Sequence, residues 1–313
     1  MRILITGSEG TLGKSLAKEL KLRGHIVFGM DLKHCEGRGL DGYIRGDVSN
    51  YRQVFEAFKR AKPEYVYHLA AEFGRHNGEE YYEQLWLSNA VGTKNVLRGC
   101  HEFGVRLIFS SSSEIYGEGD YWDTEILDED MSSRVPLRQH NDYAISKWVN
   151  ELQICNQFKI YPDQEIMTLR FFNAYGPGEY YHPYRSVCCL FVYNAMHRLP
   201  CTIYQGYHRV FMYIDDFIPT LANCVEKFVS KEIVNIGGTE YRSIEDLHNV
   251  ISDLLSLPRQ RPEISYLSKD GHNTINKRPD ISKAKKLLGH DPKILLEEGI
   301  ARTIDWQRKI YEN

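Results

Sequence analysis

The chain has 313 residues, of which 39 are basic and 42 acidic, and its formal net charge is −3. This near-balance excludes a whole-chain electrostatic preference for nucleic acid or for an anionic membrane surface. The length suits one large α/β domain, or a major domain with a smaller one appended, which buries roughly three quarters of the unfolded surface.

The cysteines and the first residues bear on location and on metal binding. The seven cysteines are odd in number, show no C-x-x-C spacing and stand mostly in apolar surroundings, which suits a reducing compartment. Seven acidic residues between Glu118 and Asp130 have no histidine among them, so they predict a solvated loop, and no metal site is expected. Met1 directly precedes the first predicted strand, and no apolar segment is long enough to span a membrane. We therefore expect a cytoplasmic protein with no membrane segment.

The first thirty-one residues predict a strand, a tight turn, a helix and a second strand. An apolar strand at residues 2–6 runs into Gly7, Gly10 and Gly13, and the second strand begins at Ile26. In such a unit the first glycine makes the turn, the second lets the backbone approach a diphosphate, and the third lets the helix pack close to the sheet. The diphosphate lies at the helix N-terminus. The pattern predicts a dinucleotide site.

An acidic residue at the end of the second strand indicates which dinucleotide binds. Asp31 follows Gly13 by eighteen residues. A carboxylate at this place accepts hydrogen bonds from a ribose diol and repels a 2′-phosphate, so NAD is predicted in preference to NADP. Lys33 nearby leaves NADP as the alternative.

Helices and strands alternate as far as residue 172. We predict a loop at 33–46, a helix at 50–61 capped by Asn50, a strand at 63–71, a helix at about 79–103, a strand at 105–109, a helix at about 141–158 and a strand at 165–172. This alternation predicts an α/β fold with a doubly wound parallel sheet. The strand at 105–109 leads into four serines and Glu114, at the sheet edge where parallel sheets place ligands, although a serine-rich turn is the alternative.

The composition changes at Asn173, where a loop dense in Tyr, Gly and Pro precedes an apolar helix. We place the start of a second, smaller α/β substrate domain here, with further helices at 243–257 and 281–288. The predicted dinucleotide-binding domain comprises residues 1–172 and also receives about 212–236. Residues 173–211 and 237–313 form the predicted smaller domain.

Tyr143 and Lys147 stand four residues apart, and therefore on one face of a predicted helix. A tyrosine has an ordinary pKa of about 10, so a role as base near neutral pH requires a decrease of about three units, or roughly 4 kcal/mol. A lysine ammonium at about 4 Å supplies on the order of 4 kcal/mol at an effective dielectric constant of about 20, and an oxidised nicotinamide ring adds further positive charge. The pair therefore predicts a phenol that removes a proton from a hydroxyl group while a hydride leaves the same carbon.

These features and several others resemble one known family. They include Asp47-Val48, His68 to Ala71, Asn89 to Leu97, Arg170 to Pro177, Arg209 to Asp216 and Lys277 to Ile281, besides the glycine turn, Ser112, Tyr143 and Lys147. The chain resembles the extended short-chain dehydrogenase/reductase family in its NAD-dependent epimerase/dehydratase branch, over essentially its whole length. The resemblance implies a Rossmann domain and an enzyme that oxidises the C4 hydroxyl of a nucleotide-diphosphate sugar to a 4-keto sugar.

The resemblance also implies a role for each matching residue. The NAD contacts would be Gly7, Gly10, Thr11, Leu12, Gly13, Asp31, Asp47, Val48, Leu69, Ala70, Ala71, Tyr143 and Lys147. The catalytic set would be Ser112, Tyr143 and Lys147, joined by Ser113 and Glu114, whose carboxylate resembles the base of the dehydratase and decarboxylase branches. A solvent-facing Glu114 is the alternative. The substrate's diphosphate would bind Asn173, Arg185, Arg209 and Arg278.

The substrate and the net reaction stay open at this stage. Gly178 replaces an arginine that is common in the family, and the loop Tyr180 to Tyr184 is either a lid over the sugar or simple packing. The resemblance of the loop implies a GDP-linked mannose or heptose as substrate, with 4,6-dehydration, epimerisation or release of the 4-keto sugar. A UDP-sugar 4-epimerase and a UDP-glucuronate decarboxylase are the alternatives, and a non-catalytic NAD-binding regulatory protein is the alternative of another class. The resemblance further implies a homodimer through the helices at 79–103 and 141–158.

Overall fold

The computed structural model describes residues 1–34, 39–118, 126–257 and 263–312. Cys35 and most of the acidic segment between Glu118 and Asp130 lie outside these ranges, as does part of the predicted loop at 33–46. No helix within the described ranges is long and apolar enough to cross a membrane.

Fourteen strands are present in the described ranges. They are β1 (Arg2–Thr6), β2 (Ile26–Asp31), β3 (Gly42–Arg45), β4 (Tyr65–His68), β5 (Arg106–Ser112), β6 (Ile166–Phe171), β7 (Ala174–Tyr175), β8 (Cys201–Tyr204), β9 (His208–Val210), β10 (Met212–Tyr213), β11 (Ile233–Ile236), β12 (Tyr241–Ser243), β13 (Ile264–Leu267) and β14 (Asn276–Lys277).

The described helices number twelve, besides a π-helical turn at Leu87–Val91 and a 3₁₀ turn at Ser113–Tyr116. They are α1 (Thr11–Leu22), α2 (Tyr51–Ala61), α3 (Arg75–Glu80), α4 (Tyr82–Trp86), α5 (Gly92–Phe103), α6 (Met131–Arg134), α7 (Asp142–Ile160), α8 (Val187–His197), α9 (Ile214–Glu226), α10 (Ile244–Leu254), α11 (Ser282–Leu288) and α12 (Leu296–Tyr311).

A seven-stranded parallel sheet forms the centre of the molecule, in the order β11-β6-β5-β4-β1-β2-β3. Its two faces bury separate apolar cores because successive side chains of a strand point to opposite sides. Ile3 and Ile5 pack with α1 and α9 on one face, whereas Leu4 packs with α2, α5 and α7 on the other. Helices on both faces make the sheet doubly wound, and the predicted fold class is confirmed.

The C-terminal half adds short sheets beside the large one: β10-β7, β12-β9-β14 and β13-β8. Buried residues of α8, α10 and α12 pack in the same apolar cluster as those of α1 and α9, so one core runs beneath both halves of the chain. Strand β11 joins the edge of the large sheet beside β6. The domain boundaries at 172, 211 and 236 stay a prediction.

Three predicted elements differ from the structure. The segment 33–46 contains β3, which forms because β2 supplies a parallel partner despite the glycine-rich composition. The helix predicted at 79–103 is interrupted at Tyr81 and by the π-helical turn at 87–91. Strand β5 continues to Ser112, so three of the four serines lie within the strand and not after it.

A buried ion pair joins α7 to the sheet. The Arg170 guanidinium on β6 donates to both carboxylate oxygens of Glu151 on α7, at 3.0 and 2.8 Å. Both side chains are almost fully buried, and Arg170 also donates to the Tyr116 hydroxyl at 2.8 Å. Ser111 of β5 donates to the same Glu151 carboxylate at 2.5 Å. The helix is therefore fixed to β5 and β6 by charge-assisted hydrogen bonds.

We expect Arg170→Met to lower the free energy of unfolding by about 3–5 kcal/mol, because the Glu151 carboxylate is left buried and unpaired. Urea unfolding followed by circular dichroism measures the loss. The control is Arg302→Met, which removes an exposed arginine paired with Glu298 and should have a much smaller effect. Adding Glu151→Leu to Arg170→Met should restore part of the loss, and a loss no larger than that of the control contradicts the expected contribution.

Candidate active site

A cleft of about 930 Å³ runs along the carboxyl ends of β1, β2, β4, β5 and β6, between the large sheet and the C-terminal half of the chain. Parallel sheets bind ligands at this edge. All residues predicted to contact NAD line the cleft, together with Ser112, Ser113, Glu114, Asn173, Arg185 and Arg209. Of the predicted site residues, Arg278 alone is not part of this lining.

The glycine turn at the start of the cleft leaves no space for side chains. Gly7 has φ +75°, and a Cβ there would lie 2.7 Å from the backbone nitrogen of Ala70. A Cβ on Gly13 would lie 2.2 Å from the carbonyl oxygen of Gly7. Helix α1 starts after Gly10 without a side-chain cap, so its first amide groups have no side-chain acceptor at the cleft wall. This arrangement fits a diphosphate, which needs close backbone approach and amide donors.

Two aspartates stand farther along the same wall. Asp31 accepts hydrogen bonds from the backbone nitrogens of Glu9 and Lys33, at 2.9 and 3.0 Å. Asp47 accepts one from the backbone nitrogen of Ser49 at 2.8 Å, which fixes its turn. A carboxylate has about four acceptor positions, so Asp31 can still accept from a ribose diol. The residues present therefore fit the adenosine half of NAD.

Ser112, Tyr143 and Lys147 converge at the centre of the cleft. Asn141 caps α7 by accepting from the backbone nitrogen of Ala144 at 2.8 Å, and this places Tyr143 in the first helical turn. The Lys147 ammonium donates to the carbonyl oxygen of Ser110 at 2.9 Å and lies 6.0 Å from the centroid of the Tyr143 ring. The Ser112 hydroxyl is near enough to the Tyr143 phenol to act on its pKa in the lowering direction. Tyr143 and Lys147, which were predicted to be neighbours from their spacing in the sequence, therefore lie close together in the structure.

Burial dominates the acidity of Tyr143. It raises the pKa of Tyr143 to about 12, since the interaction with Ser112 offsets only part of the loss of water and the charge of Glu114 adds to the increase. Burial also lowers the pKa of Lys147 to about 8. The expected decrease in the pKa of Tyr143 counted Lys147 and the oxidised nicotinamide ring together and left out the cost of removing the phenol from water, so the role of Tyr143 as base stays a prediction.

Glu114 and Lys277 form an ion pair on the other side of Tyr143. Their side chains are 15% and 3% exposed, so the pair is shielded from solvent but borders the cleft. Burial acts to raise the pKa of Glu114, but the charges of Lys277, Arg75 and Arg209 outweigh it, and that pKa is lowered. Burial lowers the pKa of Lys277 to about 7, against the opposing charge of Glu114. The site therefore contains an ionised carboxylate and an ammonium that can release its proton near neutral pH.

The predicted diphosphate residues differ in what their side chains do. The Arg209 guanidinium donates to the carbonyl oxygens of His208, Ile275 and Thr274 and to Asn273, at 2.6–2.8 Å. Four of its five donors are thus used within the chain. Arg185 donates to the carbonyl oxygen of Tyr180 at 3.2 Å and lies over the Phe73 ring at 4.4 Å. Asn173 donates to the carbonyl oxygen of Val210 at 3.1 Å.

Lys277 lines the cleft but was not among the predicted site residues, whereas its neighbour Arg278 was predicted to bind the diphosphate and does not line the cleft. Lys277 pairs in register with Arg209 across β14 and β9, so both side chains point to the same face. Arg278 is the next residue and points away from the cleft, with its guanidinium 5.5 Å from the centroid of the Tyr241 ring. The alternation of side chains along a strand was the signal available, but a two-residue strand cannot be recognised without its partner.

The aromatic loop from Tyr180 to Tyr184 combines packing with cleft lining. Tyr181 stacks on Tyr193 of α8 at 3.7 Å, and its backbone nitrogen donates to the Tyr311 hydroxyl of α12 at 2.7 Å. Pro183 and Tyr184 line the cleft, and the Tyr184 hydroxyl donates to Glu80 of α3. The loop therefore reaches from the C-terminal helices to the opposite wall. Within the described ranges, no group of three or more His, Cys, Asp or Glu residues could hold a metal ion.

Known proteins match the chain over nearly all its length. UDP-N-acetyl-alpha-D-glucosaminuronate decarboxylase of Bacillus cytotoxicus is 29% identical and covers 99% of this chain and 98% of its own. UDP-glucuronic acid decarboxylase 1 of Xenopus tropicalis is 30% identical, over 100% of this chain and 73% of its own. The crystal structure of UDP-glucuronic acid 4-epimerase from Bacillus cereus, in complex with UDP-glucuronic acid and NAD, has a TM-score of 0.87 at 25% identity, covering 99% of this chain and 100% of that one.

A family model agrees with these matches. The model of the NAD dependent epimerase/dehydratase family matches residues 3–237, which include the glycine turn, the serines of β5 and the Tyr143–Lys147 pair. The match spans about three quarters of the chain and confirms the predicted NAD cofactor and enzyme class. The chain belongs to the NAD dependent epimerase/dehydratase family.

Proposed function

We propose that this enzyme oxidises the C4 hydroxyl of a UDP-linked hexuronic acid and decarboxylates the resulting 4-keto acid. The observation that carries the proposal is the buried Glu114–Lys277 pair beside Tyr143, which supplies a second proton-handling group at the sugar end of the cleft. The two decarboxylases and the epimerase named above are UDP-sugar enzymes by name. They favour the UDP alternative and give no support to a GDP-linked mannose or heptose.

Tyr143 begins the proposed reaction. NAD, when bound, would supply the hydride chemistry: it would accept a hydride from C4 of the sugar and return it to the C4 ketone after carbon dioxide has left. The overall reaction would therefore need no external oxidant or reductant. The phenolate of Tyr143 takes the proton of the C4 hydroxyl, and Ser112 holds the sugar oxygen through its hydroxyl. Positive charge that reaches the cleft with the oxidised cofactor opposes the increase in the pKa of Tyr143 caused by burial.

The second stage uses the ketone. A C4 ketone makes the C6 carboxylate a β-keto acid, so the C5–C6 bond breaks, carbon dioxide leaves, and the electron pair forms an enolate between C5 and C4. The enolate then takes a proton at C5. Lys277 is the proposed donor because its pKa of about 7 permits proton release, and Glu114 keeps its ammonium oriented.

UDP-uronate 4-epimerisation is the second candidate, favoured by the crystal structure of the 4-epimerase from Bacillus cereus. It shares the C4 oxidation and keeps the carboxylate, and hydride return to the other face inverts C4. Mass spectrometry of the product distinguishes the outcomes: decarboxylation removes carbon dioxide, 4,6-dehydration removes water, and epimerisation leaves the mass unchanged. The non-catalytic alternative is set aside because the family is enzymatic and Ser112, Tyr143 and Lys147 are all present in the cleft.

We expect Tyr143→Phe to lower the turnover of UDP-glucuronic acid by about 10²–10⁴-fold, because it removes the phenol that is proposed to take the C4 proton. Retained NAD should be unchanged, since the substitution removes one hydroxyl group and leaves the glycine turn that fits the diphosphate unaltered. The NADH absorbance band after addition of UDP-glucuronic acid measures the first step. Tyr266→Phe, on the exposed strand β13, is the control. Near-normal turnover in Tyr143→Phe would remove this residue from the mechanism.

We expect kcat/KM of the wild type to decrease as the pH rises through about 7, because the lowered pKa of Lys277 means that its ammonium loses the proton there. Glu114 opposes this loss, whereas Arg209 and Arg75 promote it. In Lys277→Arg the guanidinium keeps its proton, so protonation of C5 and with it turnover should decrease, and the decrease in rate near pH 7 should disappear. The test is to measure kcat/KM of the wild type and of the variant as a function of pH. A decrease near pH 7 that is the same in both proteins contradicts the role of Lys277.

We propose in addition that the enzyme is a homodimer, as the resemblance implies. The π-helical turn and α7 pack side by side, and both expose apolar side chains. Leu87, Val91, Ile145 and Leu152 are 36–48% exposed. Pairing with a second copy would bury them in a four-helix contact. A cytoplasmic location also stays a prediction.

We expect Leu152→Glu to convert the proposed dimer to a monomer, because it places a carboxylate in the apolar contact. Sedimentation velocity at several protein concentrations measures the change. Leu295→Glu alters a similarly exposed leucine before α12 and should leave the assembly unchanged. A wild type that sediments as a monomer at all concentrations contradicts the dimer.

A further inference from the structure

Arg75 lines the sugar end of the cleft but has no part in the chemistry proposed above. It is the first residue of α3, and its guanidinium contacts the carboxylate of Asp270, with 2.6 Å between Nη1 and Oδ2. A guanidinium has five donors, and this is its one hydrogen bond with a described residue. Most of its donors therefore remain for a ligand in the cleft.

The partner of Arg75 is itself held in place. Asp270 is buried and accepts from the backbone nitrogen of His272 at 3.0 Å, while its own backbone nitrogen donates to the Tyr207 hydroxyl at 3.0 Å. Burial acts to raise the pKa of Asp270, but the charge of Arg75 and the hydrogen bond outweigh it, so the pKa is lowered. Arg75 is thus oriented by a fixed, ionised carboxylate, which reduces the entropy lost on ligand binding.

The charges around Arg75 do not balance. Three cations, Arg75, Arg209 and Lys277, act on Glu114, and the nearby carboxylates are those of Glu114 and Asp270. Arg209 uses four of its five donors on three carbonyl oxygens and the Asn273 side chain, and Lys277 is paired with Glu114. The pairs Glu114–Lys277 and Asp270–Arg75 leave one positive charge in excess among these groups, and of the three cations Arg75 keeps the most donors for an additional anionic group.

We propose that Arg75 is the residue that selects a carboxylate on the sugar ring. A guanidinium fork binds a carboxylate through two parallel hydrogen bonds, and the single negative charge of a hexuronic acid would neutralise the excess. A hydroxymethyl group at the same position would leave the charge uncompensated. The inference rests on the proposed UDP-uronate function and assigns the specificity of that same site.

The test uses a double variant, Arg75→Met with Asp270→Asn, in the full NAD-loaded chain. Removing Arg75 alone would leave Asp270 buried and charged, and could unfold the loop for that reason. The single variant Asp270→Asn keeps the guanidinium and should retain the preference for an acidic sugar. Arg302→Met, on the outer face of α12, is the matched control for loss of an arginine.

Isothermal titration with UDP-glucuronic acid, UDP-glucose and UDP gives the outcome. The double variant should bind UDP-glucuronic acid about 10- to 100-fold more weakly, whereas the affinities for UDP-glucose and UDP should change less than about twofold. An equal loss for all three ligands overturns the proposal, because it points to the diphosphate or to the fold, and so does an unchanged affinity for UDP-glucuronic acid. Wild-type protein that neither binds nor turns over UDP-glucuronic acid instead removes the proposed function itself.

Discussion

Three consecutive serines of β5 face three successive turns of α7, and this attachment determines where Ser112, Tyr143 and Lys147 lie. Ser112 acts on the pKa of Tyr143, the carbonyl oxygen of Ser110 accepts from Lys147, and Ser111 donates to Glu151. The helix residues are four apart, so they lie on one face, and Glu151 is anchored from below by Arg170. Because a parallel sheet brings its carboxyl ends to one edge, the same attachment places the phenol opposite the glycine turn of β1.

The sequence was most informative where local rules decide the structure. The glycine turn depends on the absence of side chains, and Gly7 and Gly13 indeed leave no space for a Cβ. The Tyr143–Lys147 spacing depends only on helical geometry. Residues whose role depends on long-range pairing were not accessible in this way: Lys277 faces the cleft because β14 pairs with β9, and Arg75 is oriented by a residue almost two hundred positions away. Strand β3 escaped prediction for the same reason, since β2 supplies its hydrogen bonds.

Electrostatics was also harder to predict than geometry. The pair Tyr143 and Lys147 has the expected placement, yet the pKa of the phenol moves to about 12 and that of the ammonium to about 8. Burial disfavours both charged forms, and in a narrow cleft this cost exceeds the attraction between them. In the mechanism proposed above, this phenol is neutral in the free protein and becomes a base when the oxidised cofactor adds positive charge to the cleft. Base strength is thereby linked to occupancy of the site.

The remaining charged residues of the cleft are related by how their charges are paired. Arg209 donates to the Asn273 side chain and to the carbonyl oxygens of Thr274 and Ile275, and so it shapes the wall that carries Lys277. Lys277 is compensated by Glu114, and Asp270 compensates Arg75 while the donors of Arg75 stay available. A ligand without charge at this end would have to leave one cation unneutralised in surroundings of low polarity, which is costly. An acidic sugar removes that cost and, once its C4 carbon is a ketone, carries the carboxylate in the position from which carbon dioxide can leave. The charge distribution that would favour binding of such a substrate and the chemistry that would consume it therefore agree.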